Sequence, residues 1–264
     1  MTSSPLRHAE TVMGTVVSFA VLPRELSEPE VRAAIADACG ALHEVDATLS
    51  TWKPDSPISR LRRGELTEGD APEMVREVLG ECTTARELSG GWFDPWAMPG
   101  GVDPTGLVKG WAAERAAGVL RAAGVTAALV NAAGALVAIG ESAPGHAWQV
   151  GVRDPRRPER LACVVPVRAA IATSADYERP GQIRDPHERR AVTRLLSATV
   201  VGPDLGMADA LATGLVAEGA AGLERIARIP GYSAYAFDPA GVVRVTPRFP
   251  PTGRADSHGL LSKR

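Results

Sequence analysis

The residues best suited to chemistry fall in two short blocks, DPTGLVKG at Asp103–Gly110 and MADALAT at Met207–Thr213. In the second block a carboxylate and a hydroxyl stand four residues apart. That spacing puts Asp209 and Thr213 on one helical face, with their oxygen atoms aimed at one point. Hard oxygen donors suit Mg²⁺. In the first block Gly106 lets backbone approach a ligand or metal closely. Lys109 follows at what reads as a helix start, where free N–H groups favour anions. A lysine beside an oxygen-lined cation site is chemistry for a diphosphate.

Each block also has an ordinary structural reading. An Asp near a helix start is favoured by the macrodipole, and a helical Thr can bond its own backbone. Asp103 or Thr105 can cap a helix and leave Lys109 as a solvated helix lysine. Against this, Ala210, Leu211 and Ala212 are small or apolar, so their helix packs into the interior. A carboxylate facing the same way needs a partner.

Other polar–aromatic blocks carry two readings as well. Met13-Gly14-Thr15 is a turn before a strand, or a thioether set against a flat ring. The rings in Ser50-Thr51-Trp52 and Gly91-Trp92-Phe93-Asp94 either join the core or stack on an aromatic ligand. Thr173-Ser174-Ala175-Asp176-Tyr177 ends a strand, as a simple turn or as a phosphate or ribose contact. The five histidines are scattered and form no ligand pattern. The Arg-rich run Arg153–Arg160 reads as an exposed loop. Dinucleotide, Walker A and nucleophile-elbow motifs are missing.

The elements that must position these residues follow from periodicity. Val16–Leu22 reads as a strand. Ser27-Glu28-Pro29-Glu30 is a capping box that opens a helix, with Val31, Ile35, Ala38, Leu42, Val45 and Leu49 as its apolar stripe. A second helix runs from about Pro72 to Leu88, with Val75, Val78, Cys82 and Ala85 inward, and Gly90-Gly91 stops it. A third spans the stretch from Gly106 to Gly124.

The middle turns to short β-rich runs at Ala127–Asn131, Leu136–Ile139, Trp148–Val152, Leu161–Val167 and Ala169–Thr173. Leu195–Val201 is another strand, followed by the MADALAT helix and a short helix near Leu223–Ile229. Tyr232–Phe237 and Val242–Val245 form a hairpin around Asp238-Pro239-Ala240-Gly241. Helices and strands are segregated, which predicts an α+β fold with largely antiparallel sheets and packed helices. The chain reads as a single integrated domain over 1–246 with a flexible C-terminal tail over 247–264.

The 264 residues, 45% hydrophobic, suffice for one large core. A net charge of −2 gives no footprint for nucleic acid or anionic membrane. Three cysteines in no metal-ligand spacing suit a reducing compartment. The N-terminus shows neither a signal-peptide pattern nor a lipid-attachment cysteine, and no run is long enough to span a membrane. The expectation is a cytoplasmic protein without a membrane anchor.

In this order the blocks resemble the ApbE family of FAD:protein FMN transferases. The resemblance runs from Met13 to about Ala217. It rests on MGT at Met13–Thr15, LSTWKPDSPISRL at Leu49–Leu61, GGWFDP at Gly90–Pro95, DPTGLVKG, LVNAAGALVAIG at Leu129–Gly140, AIATSADYER at Ala170–Arg179 and ADALATGL at Ala208–Leu215. It implies a T-fold-like α+β architecture. It implies Mg²⁺ held by Asp209, Thr213 and the Gly106 carbonyl. It implies FAD contacts at Met13, Trp52, Phe93, Asp94, Asp103 and Lys109, with Gln182 and Ile183 in the QIRDP block beside them. The activity implied is transfer of FMN from FAD to a Thr or Ser hydroxyl of an acceptor flavoprotein, with AMP released.

The chain departs from the family pattern at NAAGA, where Ala133 and Ala135 stand for a Gly and an Asp. It departs again at Gln182, where the family has a histidine. No residue is therefore assigned as catalytic base. Two other outcomes use the same site: an FAD diphosphatase giving FMN and AMP, and a degenerate protein that binds FAD without turnover.

Overall fold

The computed structural model describes residues 4–175, 181–192 and 194–253. Two short strands open the chain, β1 (Leu6–Val12) and β2 (Thr15–Val21). They are joined by the two-residue turn Met13-Gly14, with φ of 55° and 66°. Two consecutive positive φ values match the right-handed twist of a hairpin. β1 was not foreseen from sequence, because LRHAETV does not alternate in polarity.

Helix α1 (Glu28–Leu49) begins where the capping box predicts. The Glu30 carboxylate accepts from the Ser27 N–H at 2.7 Å. Every residue of its predicted apolar stripe is buried. A short helix α2 (Pro57–Arg62) follows, capped by Ser56, whose Oγ accepts from the Ser59 N–H at 3.1 Å. Then come α3 (Glu73–Leu88) and α4 (Thr105–Ala122).

The strands β3 (Ala128–Ala132) and β4 (Ala135–Ile139) form a second tight hairpin around Ala133-Gly134, at φ 49° and 90°. β5 (Trp148–Asp154) and β6 (Arg157–Val167) form a separate ribbon. The Arg-rich run expected as an exposed loop is in fact the end of that hairpin. Asp154 accepts from the Arg156 N–H and the Arg157 guanidinium at 3.0 Å each and so folds the turn.

After β7 (Ala170–Ala175) and β8 (Ser197–Gly202) come α5 (Leu205–Glu218), α6 (Gly222–Arg228), β9 (Ser233–Phe237) and β10 (Val243–Val245). Among the described residues the main sheet has the order β1-β2-β3-β4-β7-β8-β9-β10. Every neighbouring pair in it is antiparallel. The fold is α+β and forms a single domain.

One core lies between the sheet and its helices, and a smaller one lies between the sheet's other face and the β5–β6 ribbon. α5 is buried along nearly its whole length, which is why its sequence is apolar on all sides. Phe249 packs on Tyr235 with ring centroids 5.5 Å apart, and Gly253 exchanges backbone bonds with Val164. Among the described residues no helix is long and apolar enough to cross a membrane.

Candidate functional site

The antiparallel order has a geometric consequence. The turns Met13-Gly14 and Ala133-Gly134 and the C-terminal end of β7 all fall at one end of the sheet, where the Thr173 N–H donates to the Gly134 carbonyl at 3.1 Å. The N-terminal turn of α4 and the last turns of α1 reach the same end. Between them lies a cavity of about 500 Å³, within the usual range for small-molecule sites. Met13, Trp52, Phe93, Asp94, Asp103, Gly106, Lys109, Gln182, Ile183 and Thr213 all line it. Residues as far apart as 13 and 213 are thus gathered at one place.

Asp209 lies under the floor. Its side chain is 2% exposed. Oδ2 accepts from Lys109 Nζ at 3.0 Å and from the Gly110 N–H at 3.2 Å. The partner that a buried carboxylate requires is therefore the lysine of the other block, held one hundred residues away in sequence. This contact depends on α4 and α5 lying unusually close. A Cβ built at Gly110 would stand 2.4 Å from the Leu205 carbonyl oxygen and 3.0 Å from Asp209 Cβ.

Gly106 has the same role one turn earlier. A Cβ there would lie 3.0 Å from Phe93 Cε2 and 3.4 Å from Thr213 Oγ1. The Thr213 hydroxyl in turn shares a hydrogen bond of 2.9 Å with Ser174 Oγ at the end of β7. A buried carboxylate and a hydroxyl packed against a glycine backbone make a hard-oxygen donor set, and these residues fit Mg²⁺.

The walls divide by chemistry. Phe93 is fixed by its N–H, which donates to Ser89 Oγ at 3.0 Å. Trp92 is held edge-on by the His187 ring at 4.7 Å, with the Arg194 guanidinium 5.0 Å over its face. Trp52 stands at the mouth, 86% exposed, a large ring with little protein around it. On the polar side each cavity carboxylate has its own cation: Asp46 with Lys53, Asp94 with Arg86 and Asp103 with Arg62. Asp103 Oδ1 also accepts from the Thr105 N–H and hydroxyl at 3.1 and 2.7 Å, although the N-cap position of α4 itself is Pro104 rather than Asp103 or Thr105.

Gln182 and Ile183 are presented by a loop stapled by Asp185. This carboxylate is 1% exposed. Burial pushes its pKa up, but the Glu188 and His187 N–H groups and the Arg194 guanidinium outweigh that and hold it below the usual carboxylate range. Gln182 Nε2 faces the Ala175 carbonyl at 3.5 Å. His187 stands behind Trp92 and does not line the cavity, so it does not take the place of a histidine at 182. Of the TSADYER block, Thr173, Ser174 and Ala175 line the cavity, while residues 176–179 lie outside those described.

Sequence reasoning missed Arg184. It lines the cavity, donates from Nη2 to the Arg189 carbonyl at 2.5 Å, and keeps a buried Nε with no partner among the described residues. One arginine among many in this chain carries no signal in the sequence.

The family model of the ApbE family matches residues 13–100 and 98–236, most of the chain. The chain belongs to the ApbE family. Among curated relatives, FAD:protein FMN transferase of Klebsiella pneumoniae (strain 342) is 29% identical over 145 residues, which is 51% of this chain and 41% of that protein. The enzyme of the same name from Escherichia coli (strain K12) is 29% identical over 151 residues, 53% of this chain and 43% of that one. The matched segment therefore spans about two fifths of those relatives.

Among solved structures, flavin transferase ApbE from Vibrio cholerae superposes with a TM-score of 0.78 at 20% identity, covering 92% of this chain and 97% of that one. The ApbE protein of Thermotoga maritima gives 0.79 at 19% identity, with the same coverage. At these identities the ApbE structures bear out the fold: α+β, antiparallel and single-domain.

Proposed function

We propose that this chain is an FAD:protein FMN transferase. It moves the FMN part of FAD to a threonine or serine hydroxyl of an acceptor flavoprotein and releases AMP. The observation that carries this reading is the cavity floor. There Lys109 and Thr213 line the cavity below aromatic and thioether walls, and the buried Asp209 carboxylate just beneath accepts from the Lys109 ammonium at 3.0 Å. ApbE membership and the names of the curated relatives support it.

The reaction balances simply. An oxygen–phosphorus bond forms between the acceptor hydroxyl and the FMN phosphorus, and the bridging bond of the diphosphate breaks. AMP leaves with that electron pair, and the hydroxyl's proton passes to solvent or to the departing phosphate. Asp209, Thr213 and the Gly106 carbonyl would hold Mg²⁺, which would supply charge neutralisation for the diphosphate.

The protein's own groups do the rest. Lys109 is 34% exposed and can reach phosphate oxygens while remaining beside Asp209. The orphaned Arg184 Nε offers a second donor. Met13, Trp52 and Phe93 supply apolar and aromatic surface for a flat ring. Asp94 and Asp103, oriented by Arg86 and Arg62, are acceptors of fixed direction. Gln182 and Ile183 close one side.

Among the described residues no histidine lines the cavity, and Gln182 cannot accept a proton at neutral pH. Positioning and electrostatics do most of the catalysis, and no residue is assigned as the base. The buried, unpaired cysteines support a reducing, cytoplasmic setting.

The test is purified protein with FAD and Mg²⁺, with and without an acceptor domain, assayed for AMP and for flavin that survives denaturation. Matched AMP and covalent flavin, lost on chelation and in Asp209→Ala, are expected. FMN and AMP without acceptor would make the protein a diphosphatase, with water in place of the hydroxyl. Bound but unchanged FAD would make it a degenerate binder, the reading that Gln182 and Ala135 favour.

A further inference from the structure

A second cluster of ligand-type side chains lies outside the cavity, drawn from strand β1 and helix α1. On β1, His8 and Glu10 are two residues apart and project from the same face of the strand. On α1, Cys39 and His43 are four residues apart and share one helical face. The packing of α1 on β1 brings the two pairs together.

The Glu10 carboxylate sits between the imidazoles, with Oε2 3.3 Å from His8 Nε2 and Oε1 2.8 Å from His43 Nε2. The donor atoms of His8, Glu10 and Cys39 all lie within 4.8 Å of one another. Zinc bonds of about 2.0–2.3 Å in a tetrahedron place ligand atoms roughly 3.3–3.8 Å apart, so movements of about an ångström close the site. Imidazole, carboxylate and thiol together form a borderline donor set, which suits Zn²⁺ and its neighbours rather than Mg²⁺.

We propose that His8, Glu10 and Cys39 bind Zn²⁺ or a similar transition-metal ion, with His43 or water in the fourth position. Access is open from one side. His8 and His43 are 41% and 55% exposed, while Cys39 forms the buried floor. In the metal-free protein the thiol carries its proton, because burial and then the Glu10 charge push it up to about 11. Binding therefore forms a sulfur–metal bond and releases that proton to solvent.

The ion would tie together two elements that line the same side of the cavity. β1 runs on from Glu10 to Met13, and α1 runs on from Cys39 and His43 to Val45, Asp46 and Leu49. Its role is to clamp the rim, away from the reacting phosphorus.

Cobalt(II) tests this without reference to flavin chemistry. One equivalent added to the metal-free full-length protein should give a thiolate-to-cobalt charge-transfer band in the near ultraviolet. Zn²⁺ should abolish the band, and Mg²⁺ should leave it unchanged. The band should vanish in Cys39→Ser and persist in Asp209→Ala. Because Cys39 is buried, His8→Gln on the exposed strand face provides an independent test, with cobalt affinity falling at least about tenfold. Absence of the band at stoichiometric cobalt, or a band untouched by both Cys39→Ser and His8→Gln, overturns the assignment.

Discussion

Replacing Gly110 by alanine tests the contact on which the whole site depends. Two effects oppose one another. Alanine inside a helix is favoured over glycine by about 1 kcal/mol. At position 110, however, the new methyl would lie 2.4 Å from the Leu205 carbonyl oxygen and 2.9 Å from its carbon. These are backbone atoms of α5 and cannot rotate away. The helices must part by roughly an ångström, and overpacking of this kind costs about 1–3 kcal/mol.

Gly118 on the same helix is the control, since a Cβ there meets nothing within 4 Å. Gly118→Ala should therefore raise the melting temperature by about 2–4 °C for a domain of this size. Gly110→Ala has the same gain set against the clash, a net cost of about 0–2 kcal/mol, and should lower the melting temperature by up to about 8 °C. Because the Gly110 N–H and Lys109 both bind Asp209, Gly110→Ala should also weaken Mg²⁺-dependent FAD binding, and Gly118→Ala should not. Calorimetric melting and fluorescence titration of FAD read both effects. A Gly110→Ala protein that melts as high as Gly118→Ala would refute the close approach of α4 and α5 as the origin of the site.

Ala133 is held at φ 49° in the β3–β4 turn, so Ala133→Gly should stabilise by about 1 kcal/mol, visible as a small rise in melting temperature. Lys109→Met should free the Asp209 carboxylate and tighten Mg²⁺ while weakening FAD; calorimetric titration of each ligand separates the two, and parallel losses would contradict the shared ion pair. Asp185 has a depressed carboxyl pKa. Its contribution to stability is present above the unfolded value of about 3.9 and is lost as pH falls through the lower folded value. The stability gap between wild type and Asp185→Asn should therefore be widest near neutrality and shrink below about pH 4 in denaturant titrations. Gln182→His should raise acceptor-dependent turnover tenfold or more if an imidazole there serves as base, since general bases contribute about 10²–10⁴-fold; an unchanged rate would show that the position has no such role.

Local periodicity and local chemistry made much of the molecule legible. The capping box and stripe of α1, the hairpin near the C-terminus and the apolar character of α5 each depend on residues close together in the chain. So does the placement of Asp209 and Thr213 on one helical face, which is a property of helical spacing alone. The sequence also put carboxylate, hydroxyl, glycine and lysine in two blocks that invite a cation and a diphosphate.

Their meeting was decided by tertiary structure. Lys109 reaches Asp209 only because Gly110 lets two helices touch, and a glycine in a helix has many possible reasons to be there. Arg184 gains its place from a loop stapled by Asp185 and Arg194, contacts that span the loop. The histidines are the clearest case. Along the chain they form no pattern, because a ligand set drawn from a strand and a helix has two different periods and no fixed separation. Only when α1 packs on β1 do His8, Glu10, Cys39 and His43 become neighbours.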